Sequence, residues 1–343
     1  TIEKAVSSFA DFMWSAPFLT LGTVEIPFLL FLLLGGGVFF SIYSRFVPFK
    51  YFSHGVKILM GKYNDPNDPG EITHFQALTS ALASTVGLGN ISGVAIAIQM
   101  GGPGALFWMW VSALLGMSTK FFSCTLSILY RGKDDQGQIQ GGPMYYIENG
   151  LGKRFKPLSI LFSLAGLIGC TVMFQSNQLA DIIRDQVFLP NNMFVENALI
   201  GDFLQGLIME TLTGIVIFGG IQRIGQVASY LVPIMVILYL LSGLLVILNH
   251  ITEIPSLFAL IVNDAFTGDA VMGGAVGAVI IAGVRRALFS NEAGLGTSDM
   301  AHGAAQTNEP VREGLVAMIE PFIDTIIVCT ITALVILSSG VWQ

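Results

Sequence analysis

A succession of long apolar runs constrains this chain more than any other feature. Mostly apolar stretches occupy approximately 18–44, 72–99, 104–130, 156–181, 203–220, 225–249, 270–289 and 314–339. A helix crossing the hydrocarbon of a bilayer needs about 20 such residues, so the pattern predicts an all-α polytopic membrane protein with eight spans. Charged residues make up 11% of the 343, mean hydropathy is +0.71 and hydrophobic residues reach 53%. A soluble fold of this size could not cover its surface with so few charges. DNA binding and a secreted disulfide scaffold are excluded. The net charge of −7 is scattered and implies no acidic tail. Cys124, Cys170 and Cys329 lie inside apolar runs and are expected as buried packing residues or free thiols.

The breaks between runs carry turn chemistry, as in Asp65-Pro66-Asn67-Asp68-Pro69-Gly70 and Gly101-Gly102-Pro103-Gly104. The opening Ile2, Val6, Phe9 and Met13 follow helical spacing beside Trp14, which predicts an interfacial amphipathic helix over 1–16. No basic segment or cleavage site of a secretory signal precedes the first span. If the spans alternate, thirteen basic residues fall on one side, among them Arg45, Lys62, Arg131, Arg154, Arg223, Arg285, Arg286 and Arg312. The other side holds Lys4 and Arg184. Basic loops stay cytoplasmic, which places the amino terminus outside.

Two spans break the rules of an apolar helix. Span 72–99 contains Ala83-Ser84-Thr85-Val86-Gly87-Leu88-Gly89-Asn90-Ile91-Ser92-Gly93. A small-residue helix–helix seam accounts for Gly89 and Gly93 at i and i+4, but it fits Asn90 badly, because an amide buried in lipid must find partners. The other reading is an interrupted helix, whose freed carbonyls and half-helix ends coordinate an ion and a zwitterionic substrate. Span 270–289 carries a second cluster, Gly273-Gly274-Ala275-Val276-Gly277. Transporters built from inverted repeats place interrupted segments at matching positions in each half. The second cluster comes five helices after the first, so spans two to six (72–250) would form one repeat and 265–343, with two helices, the start of the next. Segment 17–44 would be an added helix.

Gln175, in the fourth span, is either interhelical glue or an amide donor to a substrate carboxylate. Lys120 is costly in hydrocarbon unless paired or snorkelling. Glu320 and Asp324, at i and i+4, are candidates for a polar pathway. His54, His74, His250 and His302 are dispersed near span ends and form no metal or catalytic spacing, and no phosphate loop or nucleophile elbow is present.

At these residues the sequence resembles the alanine/glycine:cation symporter family. The resemblance is carried by Phe75-Gln76-Ala77-Leu78 through Thr85-Val86-Gly87-Leu88-Gly89-Asn90-Ile91-Ser92-Gly93, then Gly101-Gly102-Pro103-Gly104-Ala105, Gly141-Gly142-Pro143-Met144-Tyr145-Tyr146, and Leu288-Phe289-Ser290-Asn291-Glu292-Ala293-Gly294. It implies a LeuT-like inverted-repeat fold with an extra N-terminal helix and an incomplete second repeat. It also implies sodium-driven uptake of alanine or glycine across a prokaryotic cytoplasmic membrane, by alternating access and without an enzyme's chemistry. A proton-coupled small amino-acid carrier and, from another class, a passive channel are the rivals. By the same resemblance Thr85, Gly87, Gly89, Asn90, Gly93, Gln175, Gly273, Gly274 and Gly277 bind substrate, and Asn90, Thr85 and Ser92 hold sodium. Gly273 to Gly277 match the unwound part of the sixth core helix, and Phe289 to Glu292 a cytoplasmic motif after it. No cofactor is expected beyond Na⁺ as coupling ion. The expected partners are a small amino acid and the lipid bilayer, with no nucleic acid and a monomeric state. Where the family usually has an acid shortly after Thr119-Lys120, Ser123 stands here. Members of the family carry three further core helices, whereas this chain begins with Thr1 and ends at Gln343. The expectation is a fragment that does not transport alone.

Overall fold

The computed structural model describes residues 2–14, 17–21, 24–135, 137–170, 173–194, 197–267 and 276–342. Helix α1 (Ile2–Trp14) is followed by a short antiparallel hairpin, β1 (Pro17–Leu21) on β2 (Val24–Pro27). Pro27 is the N-cap of α2 (Phe28–Tyr43), and a proline cannot extend a helix toward its amino end. The hairpin thus takes the start of the expected 18–44 span and leaves a 16-residue helix. Two short helices, α3 (Val47–Lys50) and α4 (Phe52–Leu59), then lead to α5 (His74–Thr85). Thr73 and Gln76 form a reciprocal capping box there, fixing where α5 begins.

Helix α6 (Leu88–Gly101) continues α5 after a 44° bend, so the run 72–99 is one broken span. The 25-residue α7 (Ala105–Leu129) runs through the middle of the molecule. Its small faces let neighbours approach closely: Ser112, Ala113, Gly116 and Ser118 are all buried. A two-residue ribbon, β3 (Gly132–Lys133) with β4 (Ile139–Gln140), precedes α8 (Pro143–Leu151). The expected span 156–181 is divided into α9 (Lys156–Gly169) and α10 (Met173–Ile183).

Helices α11 (Ala198–Ile217) and α12 (Gly220–Asn249) are long, apolar and little buried, with Leu207, Ile208, Leu231, Ile234 and Leu238 exposed. Such a surface suits hydrocarbon and not water. Next come α13 (Ile254–Thr267), an apolar helix not anticipated as a span, and then α14 (Val276–Asn291), α15 (Thr297–Gly303) and α16 (Pro310–Ala317). A last continuous run comprises α17 (Ile319–Pro321), a π-helical stretch over Phe322–Cys329, and α18 (Thr330–Ser339). Among the described residues four helices are long and apolar enough to cross a bilayer, five with the bent pair counted as one. Of the other three expected spans, 18–44 is shortened and 156–181 is divided, while the start of 270–289 lies outside the described residues.

Two apolar clusters flank α7. One joins Val94, Leu106, Met109, Ile261 and Leu334, the other Ile58, Leu78, Met117, Leu315 and Val316. Arg285 and Arg286, counted on the basic side at the end of the span 270–289, lie within α14. Arg285 stacks over Trp14 of α1 at 4.8 Å, and Arg286 stacks over Phe289 at the same distance. Removing both from the basic side still leaves a large excess there. Of the cysteines, Cys124 and Cys329 are buried and Cys170 is exposed; all three are free thiols.

Candidate functional site: two facing helix breaks

The first break is short. The hydrogen-bond ladder of α5 ends at Val86, whose amide still reaches Leu82 O, and α6 begins at Leu88. Asn90 holds the turn between them. Its Oδ1 accepts from the Gly87 amide at 2.8 Å, and its own amide donates to Gly87 O at 3.0 Å. Asn90 Nδ2 donates to Asp324 Oδ1 at 2.7 Å, with Asp324 O and Ser290 Oγ both at 3.1 Å and Cys329 Sγ at 3.3 Å. The side chain is wholly buried. In that environment an unpaired amide would cost about 1–3 kcal/mol, which is why a lone Asn in an apolar run had to find such a nest. The chain at Asp324 winds as a π-helix, a form concentrated at functional sites. Asp324 Oδ2 accepts from Ser290 Oγ at 2.8 Å and Thr325 Oγ1 at 2.9 Å.

The second break lies between α14 and α15, over residues 292–296. Glu292, Gly294 and Gly296 take φ of 52°, 91° and 82°, left-handed values that stop a right-handed helix. Asn291 Oδ1 accepts the Ala293 amide at 3.1 Å, and Thr297 Oγ1 donates to Glu292 at the start of α15. The segment Phe289 to Glu292, expected as a motif beyond the helix, therefore forms the end of α14 and the start of its break. Gly273 and Gly274 lie outside the described residues. Gly277 lies in the first turn of α14.

A cavity of about 640 Å³ lies between the breaks, within the range of small-molecule sites. Thr85, Gly87, Leu88 and Gly89 form one wall and Phe289, Glu292, Leu295 and Thr297 another; Phe162, Gly166 and Gly169 of α9 and Gln175 of α10 complete it. Leu88 and Gly89 open α6, where the first amides lack partners within the helix and favour negative charge. Beside them, Arg286 Nη2 donates to Gly89 O at 3.1 Å. A Cβ on residue 93 would sit 1.4 Å from that nitrogen, so Gly93 makes room for the guanidinium.

Of the residues expected at the site, Thr85, Gly87, Gly89 and Gln175 share the cavity. Asn90 sits behind its wall as a brace, and Gly93 backs Arg286. Ser92 donates to Leu88 O at 2.9 Å within α6 and is not at the cavity. Lys120, buried, pairs with Glu320 at 2.8 Å and donates to Ser298. The acid that the sequence lacks near position 123 is supplied through space, since Ser123 donates to Asp299 at 2.7 Å. Tyr146 also donates to Asp299, at 3.1 Å, and burial pushes its phenol pKa up, so it stays a neutral donor. Arg286, Ser290 and Glu292 were not singled out from sequence. A signal existed in two arginines inside an apolar run followed within ten residues by Ser, Asn, Glu and two glycines.

Compared with known proteins, residues 7–343 match the sodium:alanine symporter family. A transporter of Haemophilus influenzae is 41% identical over all of this chain and 71% of its own length. The sodium/alanine symporter AgcS of Methanococcus maripaludis is 40% identical over 92% of this chain and 68% of its own. A Bacillus subtilis protein named as a probable sodium/glutamine symporter, GlnT, is 37% identical over the whole chain and 67% of its own length. The chain thus spans about two thirds to seven tenths of these relatives. With its apolar helices and this match, the protein is a multi-pass membrane protein of a cation-coupled amino-acid transporter family: it belongs to the sodium:alanine symporter family.

Proposed function

We propose that the protein binds a small zwitterionic amino acid together with Na⁺ at the two facing breaks, and moves both by alternating access across a bacterial or archaeal cytoplasmic membrane. The observation that carries this reading is the Asn90–Asp324–Ser290 junction, which joins two interrupted helices behind one cavity. Interrupted helices at membrane depth are tolerated where they line a cavity and place half-helix ends against ligand charges. The substrate carboxylate takes the amides at the start of α6, and the ammonium faces Glu292. Carboxylate and hydroxyl oxygens suit a hard cation. Asp324, Ser290 and Thr325 supply them at the junction, and Thr85 supplies one at the cavity wall. Asn90, as the brace of this cluster, transmits ion binding to the break, so each ligand lowers the cost of ordering the other's site.

The LeuT-like architecture belongs to the same proposal. In it α2 is the added helix, α5 to α12 form the first five-helix repeat, and α14 onward starts the second. So do the monomeric state, the outside amino terminus and the preference for alanine or glycine. The test is binding of labelled alanine to the purified protein, with Na⁺ replaced by choline at fixed pH. Sodium-dependent binding is expected; binding that persists unchanged in choline overturns sodium coupling.

A further inference from the structure

His74 and His302 stand far apart in sequence, yet both are buried and both direct Nδ1 at one carboxylate. Each takes a different oxygen of Glu313, on α16. His74 begins α5 and His302 lies near the end of α15, so Glu313 ties together the ends of the two half-helices that lie away from their breaks. The main chain closes the same place. The amides of Glu71 and Ile72 donate to Ala304 O, and that of Gln306 donates to Ile72 O at 2.7 Å.

Two further observations point to a proton. Both imidazole Nε2 atoms are buried without a hydrogen-bond partner. That of His302 lies 3.9 Å from Glu320 Oε2, the carboxylate already holding Lys120. The charges around the cluster also do not balance. Glu313, Glu320 and Asp299 are buried acids. The cations facing them are Lys120 and Arg131, the latter acting on Glu313. Cys124 and Tyr146 face Asp299 as neutral donors. Helix α4 packs on α16 through Gly55 and adds no charge, with His54 against Tyr63 and Lys57 exposed. On α16 itself Arg312 turns to Tyr63 O and Glu309. At the edges, Glu292 is held by Thr297, and Asp68 by Asn308. With both imidazoles neutral, one buried negative charge is left over, which is expensive in a dry interior. One proton on either ring cancels it.

We propose that His74, Glu313 and His302 form a one-proton site, and that the bound proton fastens the far ends of α5 and α15 together. This inference rests on the alternating-access reading, in which those ends must part. Because the bound proton belongs to the fastened arrangement, mass action makes the fastening stronger at low pH and weaker as pH rises.

Hydrogen exchange of the purified protein, without sodium or amino acid, tests this at about pH 5.5 and about pH 8.5 after correction for intrinsic rates. Segments 69–80 and 297–310 should exchange several-fold faster at the higher pH, while α7 does not change. In the double variant His74→Asn/His302→Asn the amide nitrogens replace the Nδ1 donors but cannot take up the proton, so the pH difference should vanish, with exchange at both pH values as fast as that of the wild type at the higher pH. Wild-type protection that is independent of pH overturns the proposal, as does a variant that keeps the wild-type difference. If the double variant does not fold, the wild-type comparison decides by itself. Failure of sodium-dependent alanine binding leaves this readout untouched, so the two readings fail separately.

Discussion

The two breaks do the same job by different means. The first occupies two residues and is held by one side chain, Asn90, which caps α6 and reaches across to Asp324. The second runs over residues 292–296 with three left-handed residues, and α15 beyond it is anchored at a distance by Lys120 through Ser298. A short break with a single brace is a hinge whose state one contact can report. A long one is a loop whose shape is set by glycine and whose end is set by tertiary contacts. The oxygens proposed to hold the ion gather at the hinge, whereas residues of the loop line the cavity.

Four substitutions break or sharpen that contrast. Lys120→Met leaves Glu320 as an unpaired buried carboxylate, and should cost about 3–5 kcal/mol by thermal unfolding in detergent. Adding Glu320→Gln should recover most of it; a single variant as stable as wild type would remove the distant anchor from the account. Asn90→Ala removes the acceptor of the Gly87 amide and the donor that Asp324, Ser290 and Cys329 share, for about 2–3 kcal/mol. It should weaken sodium and alanine binding together, and lost alanine binding at unchanged sodium affinity contradicts the shared brace. Gly93→Ala drives a methyl into the Arg286 guanidinium, for about 1–3 kcal/mol. Arg286→Gln in the same background should then add little, because the guanidinium is already displaced. Gly294→Ala puts a Cβ on a left-handed residue of the loop, for about 1–2 kcal/mol. That change should alter alanine affinity with little effect on sodium; equal loss of both would erase the distinction between hinge and loop.

Much of this was legible in the sequence. Thr85 through Gly93 announced an irregular stretch, because Asn90 has no place in a lipid-facing helix. The structure puts the bend between Thr85 and Leu88. The second break was harder to read. The interruption expected at 273–277 falls mostly outside the described residues, with Gly277 in the first turn of α14. The break at 292–296 depends on three residues entering the left-handed region together, and Glu292 gives no local warning of that. The connection between the histidines was not legible for a related reason. Sequence spacing describes one helix face, and the link from His74 through Glu313 to His302 joins three helices.

The amino-acid order by itself determined the bilayer as solvent, the helical class, the family and the position of the first break. Each follows from the apolar content of single segments or from local side-chain chemistry. Tertiary structure decided which interruption opposes Asn90, which acid answers Lys120, and that a half-buried Arg286 reaches Gly89 O. Those outcomes depend on which buried charge or amide meets which partner across helices, and desolvation enforces such pairing only once the helices have packed.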